Sequence, residues 1–203
     1  LTYRSKVDFN LEGDFTASSP MLDQLGIGTV TDTAALDLTT PETVNFSLTQ
    51  QMSENLKLMF GASWARWSRF DQILVTGTER GEITNEQQNY SNAWAFSTGG
   101  EYQLTPQLAL RAGVALDFTP TQDSTRSVRI PSDDRRIFSI GAGWSPTPDL
   151  TLDVAYSYLT ERSTQVNQTK TDDLLGTGAI TSNYSADYKN EAHGFGAQLT
   201  YRF

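Results

Sequence analysis

Between residues 147 and 163 the chain reads TPDLTLDVAYSYLTERS, and its apolar positions alternate. Leu150, Leu152, Val154, Tyr156 and Tyr158 are large and apolar, whereas Thr151, Asp153, Ala155 and Ser157 are small or polar. Successive side chains of a strand point to opposite faces, so this stretch predicts a strand with one greasy and one wet face. The pattern returns in the same sense along the chain. LALRAGVALDF sets Leu108, Leu110, Val114, Leu116 and Phe118 against Arg111, Gly113, Ala115 and Asp117. RIFSIGAGW sets Phe138, Ile140 and Trp144 against Ser139, Gly141 and Gly143, and WAFSTGGEYQL sets Trp94, Phe96, Tyr102 and Leu104 against Ser97, Gly99, Glu101 and Gln103. LKLMFGASW and VNFSLTQ read alike, with Met59 an apolar residue on the wet face. The opening LTYRSKVDFNLEGDF puts Tyr3, Val7, Phe9, Leu11 and Phe15 on one face and an unbroken polar row from Arg4 to Asp14 on the other, which reads as a lumen wall. The closing HGFGAQLTYRF ends with aromatic Phe203 on the greasy face.

About eight such segments are joined by connections that alternate in length, the rhythm of an all-β, antiparallel, up-and-down barrel. The tight turns are QQMSEN, TPQ and SPTPD; the long connections lie around residues 17–36, 77–90, 119–134 and 164–184. Both termini are expected at the tight-turn end. No run approaches the roughly 18 apolar residues of a membrane-spanning helix, a fact that leaves a transmembrane barrel open. Alternation alone fits a soluble calyx or a membrane barrel, because the two differ only in which face looks inward. Two features favour the membrane. The wet face is rich in Gly, Ala and Ser, which suits a crowded interior, and the greasy face carries aromatics near its ends (Trp64, Trp94, Trp144, Tyr102, Tyr156, Tyr158, Tyr201, Phe203), as interfacial girdles do.

Charge and composition narrow the chemistry. A net charge of −9 and a pI of about 4.5 argue against a nucleic-acid partner. With no cysteine there is neither a disulfide framework nor a thiolate nucleophile. The single histidine, His193, has the parity of the greasy face and reads as a rim residue, so no catalytic role is expected. The Ser132, Asp133, Asp134 run lacks the spacing of a calcium loop, and GIGTVTD at 26–32 reads as a loop without the helix a phosphate cradle needs. The expectation is no enzyme activity, no metal and no cofactor.

YRSKVDFNLEGDF at 3–15, TPETVNFSLTQ at 40–50, WARWSRFDQI at 64–73, RSVRIPSDDRRIFSIGAGW at 126–144 and the LDVAYSYL strand after it resemble, in order and spacing, the C-terminal half of the FadL/TodX-type long-chain fatty acid transporters of Gram-negative outer membranes. The resemblance covers essentially the whole chain. It implies a segment, residues 1–203, of a 14-stranded transmembrane β-barrel whose N-terminal hatch and first strands lie outside this sequence. It also implies passive uptake of hydrophobic molecules such as long-chain fatty acids, in the cell outer membrane. The partners to expect are membrane lipid and lipopolysaccharide, hydrophobic small molecules and the outer-membrane assembly machinery.

Site residues follow from parity and position. Lys57, Arg111, Asp153 and Arg202 lie on the wet face near tight turns or the C-terminus and should ring one end of the lumen, either paired with one another or with a hatch, or steering a carboxylate. Arg126, Asp134 and Arg135 should brace a long loop. Solute contacts are expected from apolar residues on the wet face or in long connections: Met59, Ile73, Val75, Leu159, Leu174 and Leu175. Tyr201 and Phe203 resemble the aromatic-ended signal by which outer-membrane barrels are recognised for insertion. The alternatives are a small, self-closed structural barrel without a transport path and a soluble lipid-binding barrel.

Overall fold

Period-two alternation produces strands in the computed structural model, which describes residues 1–18, 20–24, 26–172 and 180–203. In chain order they are β1 (Thr2–Arg4), β2 (Val7–Ala17), β3 (Val30–Thr40), β4 (Thr43–Gln51), β5 (Leu56–Ala65), β6 (Gln72–Gly77) and β7 (Gly81–Gln87). There follow β8 (Ala93–Thr105), β9 (Leu108–Asp117), β10 (Arg135–Thr147), β11 (Leu150–Glu161), β12 (Thr164–Asp172), β13 (Ile180–Tyr188) and β14 (Glu191–Tyr201). One short helix, α1 (Pro20–Gln24), and a 3-10 turn at Trp67–Arg69 interrupt the pattern.

The main sheet is eight-stranded and antiparallel, in the order β1-β4-β5-β8-β9-β10-β11-β14. Its tight turns fall where Ser, Pro, Asn and Asp cluster: β4 to β5, β8 to β9 and β10 to β11. At the other end the strands continue as two smaller sheets, β2-β3-β6-β7 and the hairpin β12-β13. Much of what reads as long loop in the sequence is therefore strand; β7, β12 and β13 carry few large apolar side chains, so little alternation betrays them. The GIGTVTD segment is loop only in its first half, with Gly26 and Gly28 at positive φ, and then enters β3 at Val30.

The first strand departs most from expectation. Pairing of β1 with β4 (Thr2 opposite Asn45) and of β2 with β3 (Val7 opposite Thr40) shares one register, so the two pairs are a single long hairpin broken in the middle. Pro41 sits at the break and has no N–H to give the ladder. Beside it Glu42 is buried and accepts hydrogen bonds from Arg69 and from Arg66. The bond from Arg69, more than that from Arg66, holds the Glu42 carboxyl down to about 2. The polar row of the opening strand thus belongs mainly to the extension, and Leu1 lies at the long-connection end of the sheet rather than at the tight-turn end. The C-terminus does lie at the tight turns, with Tyr201 opposite Leu150.

Among the described residues β14 pairs only with β11, and β4 has a partner beyond Asn45 only in β5. The sheet is an open arc, and a self-closed small barrel is not what these residues form. Its greasy face is bare: Ile140 is 63% exposed, Val154 56% and Leu199 65%, and the fully or nearly buried apolar residues are few and mostly outside the main sheet. Water does not tolerate an apolar area of this extent, whereas a bilayer solvates it. Aromatic rings gather near the long-connection end of that face, Trp64 against Trp94, Trp94 stacked on Phe96, and Phe96 against Phe118.

Candidate functional site

The concave, wet face forms a trough of about 890 Å³ that runs across the arc from β4 to β14. Strand register arranges its inward side chains in rungs. Nearest the tight turns, Lys57, Glu101 and Arg111 stand opposite one another on β5, β8 and β9, with Gly141, Ala155 and Gly196 completing the rung. Glu101 accepts from Lys57 Nζ at 2.7 Å and from Arg111 Nε at 2.7 Å. Arg111 Nη1 then reaches over β10 to Asp153 Oδ1 at 2.6 Å. Gly143 makes that reach possible: a Cβ there would lie 2.7 Å from Asp153 Oδ1 and 3.1 Å from an Arg111 guanidinium nitrogen. Four charges on four strands thus form one continuous row, neutral in sum.

Two uncharged rungs follow. The first is Met59, Gly99, Gly113, Ser139, Ser157 and Gly194, in which the hydroxyls of Ser139 and Ser157 bond at 2.7 Å. The second is Gly61, Ser97, Ala115, Ile137, Leu159 and Ala192. Above them charge returns: Arg135 donates to Glu161 Oε1 at 2.8 Å and lies 3.5 Å from Asp117 Oδ2. Six residue steps carry β9 from Arg111 to Asp117, so the charge-free floor between the two tiers is about 20 Å long at a strand's rise per residue.

Of the residues expected to contact solute, Met59 lines the trough and Leu159 stands beside Ile137 on its inner wall. Ile73 and Val75 do not join them; they lie in β6, in the extension, opposite Glu86 and Thr84. Leu174 and Leu175 lie outside the described residues. Of the lumen charges, Lys57, Arg111 and Asp153 share the row, while Arg202 stands beyond β14 with no ion pair among the described residues. Reading from sequence passed over Glu101 and Ile137. Glu101 has the inward parity and alone can bridge Lys57 to Arg111, but only the strand register reveals that it stands between them.

Arg126 is buried in the loop that follows β9, where it donates to Asp123 at 2.6 Å and to the Ser132 carbonyl at 3.1 Å and lies 3.5 Å from Asp133. Asp134 accepts from the Thr119 N–H at 3.0 Å, and the Arg162 N–H bonds the Asp134 carbonyl. His193 sits on the outer face, its Nδ1 2.7 Å from the Tyr156 hydroxyl, with no serine hydroxyl in its hydrogen bonds. Among the described residues no group of three His, Asp or Glu side chains is arranged to hold a metal ion.

An open antiparallel arc, bare to lipid outside and walled with small residues inside, matches known proteins along its whole length. The sequence pattern of the family described as outer membrane protein transport protein (OMPP1/FadL/TodX) covers residues 1–203. The chain belongs to this family. It is 31% identical over 205 residues to outer membrane protein P1 of Haemophilus influenzae, covering all of this chain and 43% of that one. It is 26% identical over 212 residues to a long-chain fatty acid transport protein of Escherichia coli, covering 46% of the latter. Among solved structures, a Pseudomonas aeruginosa FadL homologue superposes with a TM-score of 0.78 at 27% identity, over 98% of this chain and 47% of that one. The toluene transporter TodX of P. putida gives 0.56 at 15% identity, over 98% of this chain and 44% of that one, a likeness of fold alone. The chain therefore spans less than half the length of the relatives it matches. Family members are outer-membrane proteins of Gram-negative bacteria, which places this chain in the outer membrane with its tight turns in the periplasm and its extensions outside.

Proposed function

We propose that the protein built on this chain takes up hydrophobic molecules, long-chain fatty acids among them, by passive movement along the inner wall of the barrel, without covalent chemistry. The observation that carries the reading is the charge-free floor between two ion-paired tiers. Gly, Ala and Ser leave room, Met59, Ile137 and Leu159 offer apolar contact, and the paired charges at either end present no unpaired ion for an apolar solute to desolvate. Arg126, Asp134 and Arg135 brace the mouth of this path, and Tyr201 and Phe203 serve as the aromatic end by which the assembly machinery recognises the barrel.

The long-chain fatty acid relatives and the toluene transporter fold support the solute class. Uptake of radiolabelled oleate and of toluene by cells lacking the gene, with and without the full-length protein restored, tests it. Restored entry of either apolar solute, with no change in entry of a sugar of similar mass, is the expected result. Equal entry of both apolar solutes with and without the protein contradicts it.

A further inference from the structure

The transport path makes no use of Arg136, a cation on the outer wall. Arg136 follows Arg135 on β10, so its side chain points to the opposite, lipid-facing side with Phe138 and Ile140. Arg135 is ion-paired, whereas Arg136 is exposed and has no ion pair among the described residues. Its rung also holds Phe96 and Leu116 on one side and Thr160 on the other, and Trp94 and Phe118 stand one step nearer the outside. The guanidinium is therefore level with the aromatic girdle, the depth of lipid headgroups. An arginine facing hydrocarbon costs about 2–4 kcal/mol at the bilayer midplane but almost nothing at this level.

Directly beneath Arg136 an apolar furrow of about 380 Å³ runs down the wall, lined by Phe96, Thr98, Val114, Leu116 and Phe138. We infer that Arg136 and this furrow form a binding site for a phosphorylated, acylated lipid of the outer leaflet, with its phosphate on the guanidinium and an acyl chain in the furrow. Charge complementarity selects an anionic headgroup, since a planar guanidinium binds phosphate through two parallel hydrogen bonds. The furrow selects a lipid over a free anion, because inorganic phosphate would gain nothing from apolar walls. Arg162 and Lys189, at the rim beside β11 and β14, also lack ion pairs among the described residues and add positive potential. The carboxylate of Glu191, on the outward side two strands away, is engaged by the Tyr158 hydroxyl at 2.8 Å. The inference stands apart from the transport path and rests only on outer-membrane location.

The test uses the full-length protein in phosphatidylcholine nanodiscs, titrated with bis-phosphorylated lipid A and followed by native mass spectrometry. Arg136→Gln should weaken binding about fivefold, the worth of one basic residue at an anionic membrane surface. Arg136→Lys, which keeps the charge, should bind more tightly than Arg136→Gln. Dephosphorylated lipid A should bind the unaltered protein no better than the phosphorylated lipid binds Arg136→Gln. Equal binding by Arg136→Gln and the unaltered protein overturns the site, as does displacement of the lipid by excess inorganic phosphate.

Discussion

Ile137→Asp should cut uptake of hydrophobic solutes by about tenfold or more while leaving the amount of folded protein in the outer membrane unchanged. Ile137 faces the trough from the upper of the two uncharged rungs, between Ala115 and Leu159. A carboxylate there would be hydrated, and an apolar solute passing over it would strip that water without replacing its hydrogen bonds. The cost falls on the solute's passage and spares the fold, since the side chain supports no packed core. Ile137→Leu keeps the apolar surface and should keep uptake. The pair of variants, compared for uptake and for heat-modifiable gel mobility, separates a blocked path from a misfolded barrel. Unaltered uptake in Ile137→Asp would mean that solute does not cross this rung.

The largest effect on assembly is expected at Gly99. It stands on the same inner wall, on β8 opposite Gly113, and a Cβ on it would lie 2.9 Å from the Ala112 carbonyl oxygen of β9. That neighbour is backbone within a continuous ladder and has nowhere to move. Gly99→Ala should therefore destabilise the barrel by about 1–3 kcal/mol, as overpacking does, and lower the folded fraction recovered from membranes. Gly194→Ala provides the contrast, because its added Cβ meets Ser157 only at 3.9 Å, an ordinary contact. A heat-modifiable band of equal strength in the two variants would contradict the account of why the inner wall is built from glycine.

What the sequence discloses and what it conceals follow from solvent. β5, β8, β9, β10, β11 and β14 are legible because lipid on one side and a crowded lumen on the other impose opposite demands on alternate residues. β7, β12 and β13 carry few large apolar side chains on either face, so stretches such as TQVNQTKTD read as loop although they pair through nine residues. The row through Lys57, Glu101, Arg111 and Asp153 was half visible. Parity puts all four on one face, but only register shows that Glu101 joins two cations and that Gly143 clears the way for Arg111. Ile73 and Val75 are apolar residues of a long connection, and that connection is a hairpin outside the trough. Arg135 and Arg136 are identical in chemistry and adjacent in sequence, yet one completes an ion-paired tier and the other faces lipid, a division that alternation alone dictates.

The central claim is that hydrophobic solute occupies the floor between the two charged tiers. The chain contains no cysteine, so a thiol introduced by Ile137→Cys in the full-length protein reports on that floor without interference from these residues. Its rate of modification by a water-soluble maleimide should fall by about tenfold when oleate is present at saturation. The same reagent should be unaffected by oleate at Glu79→Cys, in the exposed turn between β6 and β7. Slowing at position 137 alone places solute on the inner wall; an unchanged rate there, under conditions where cells take up oleate, would contradict the account.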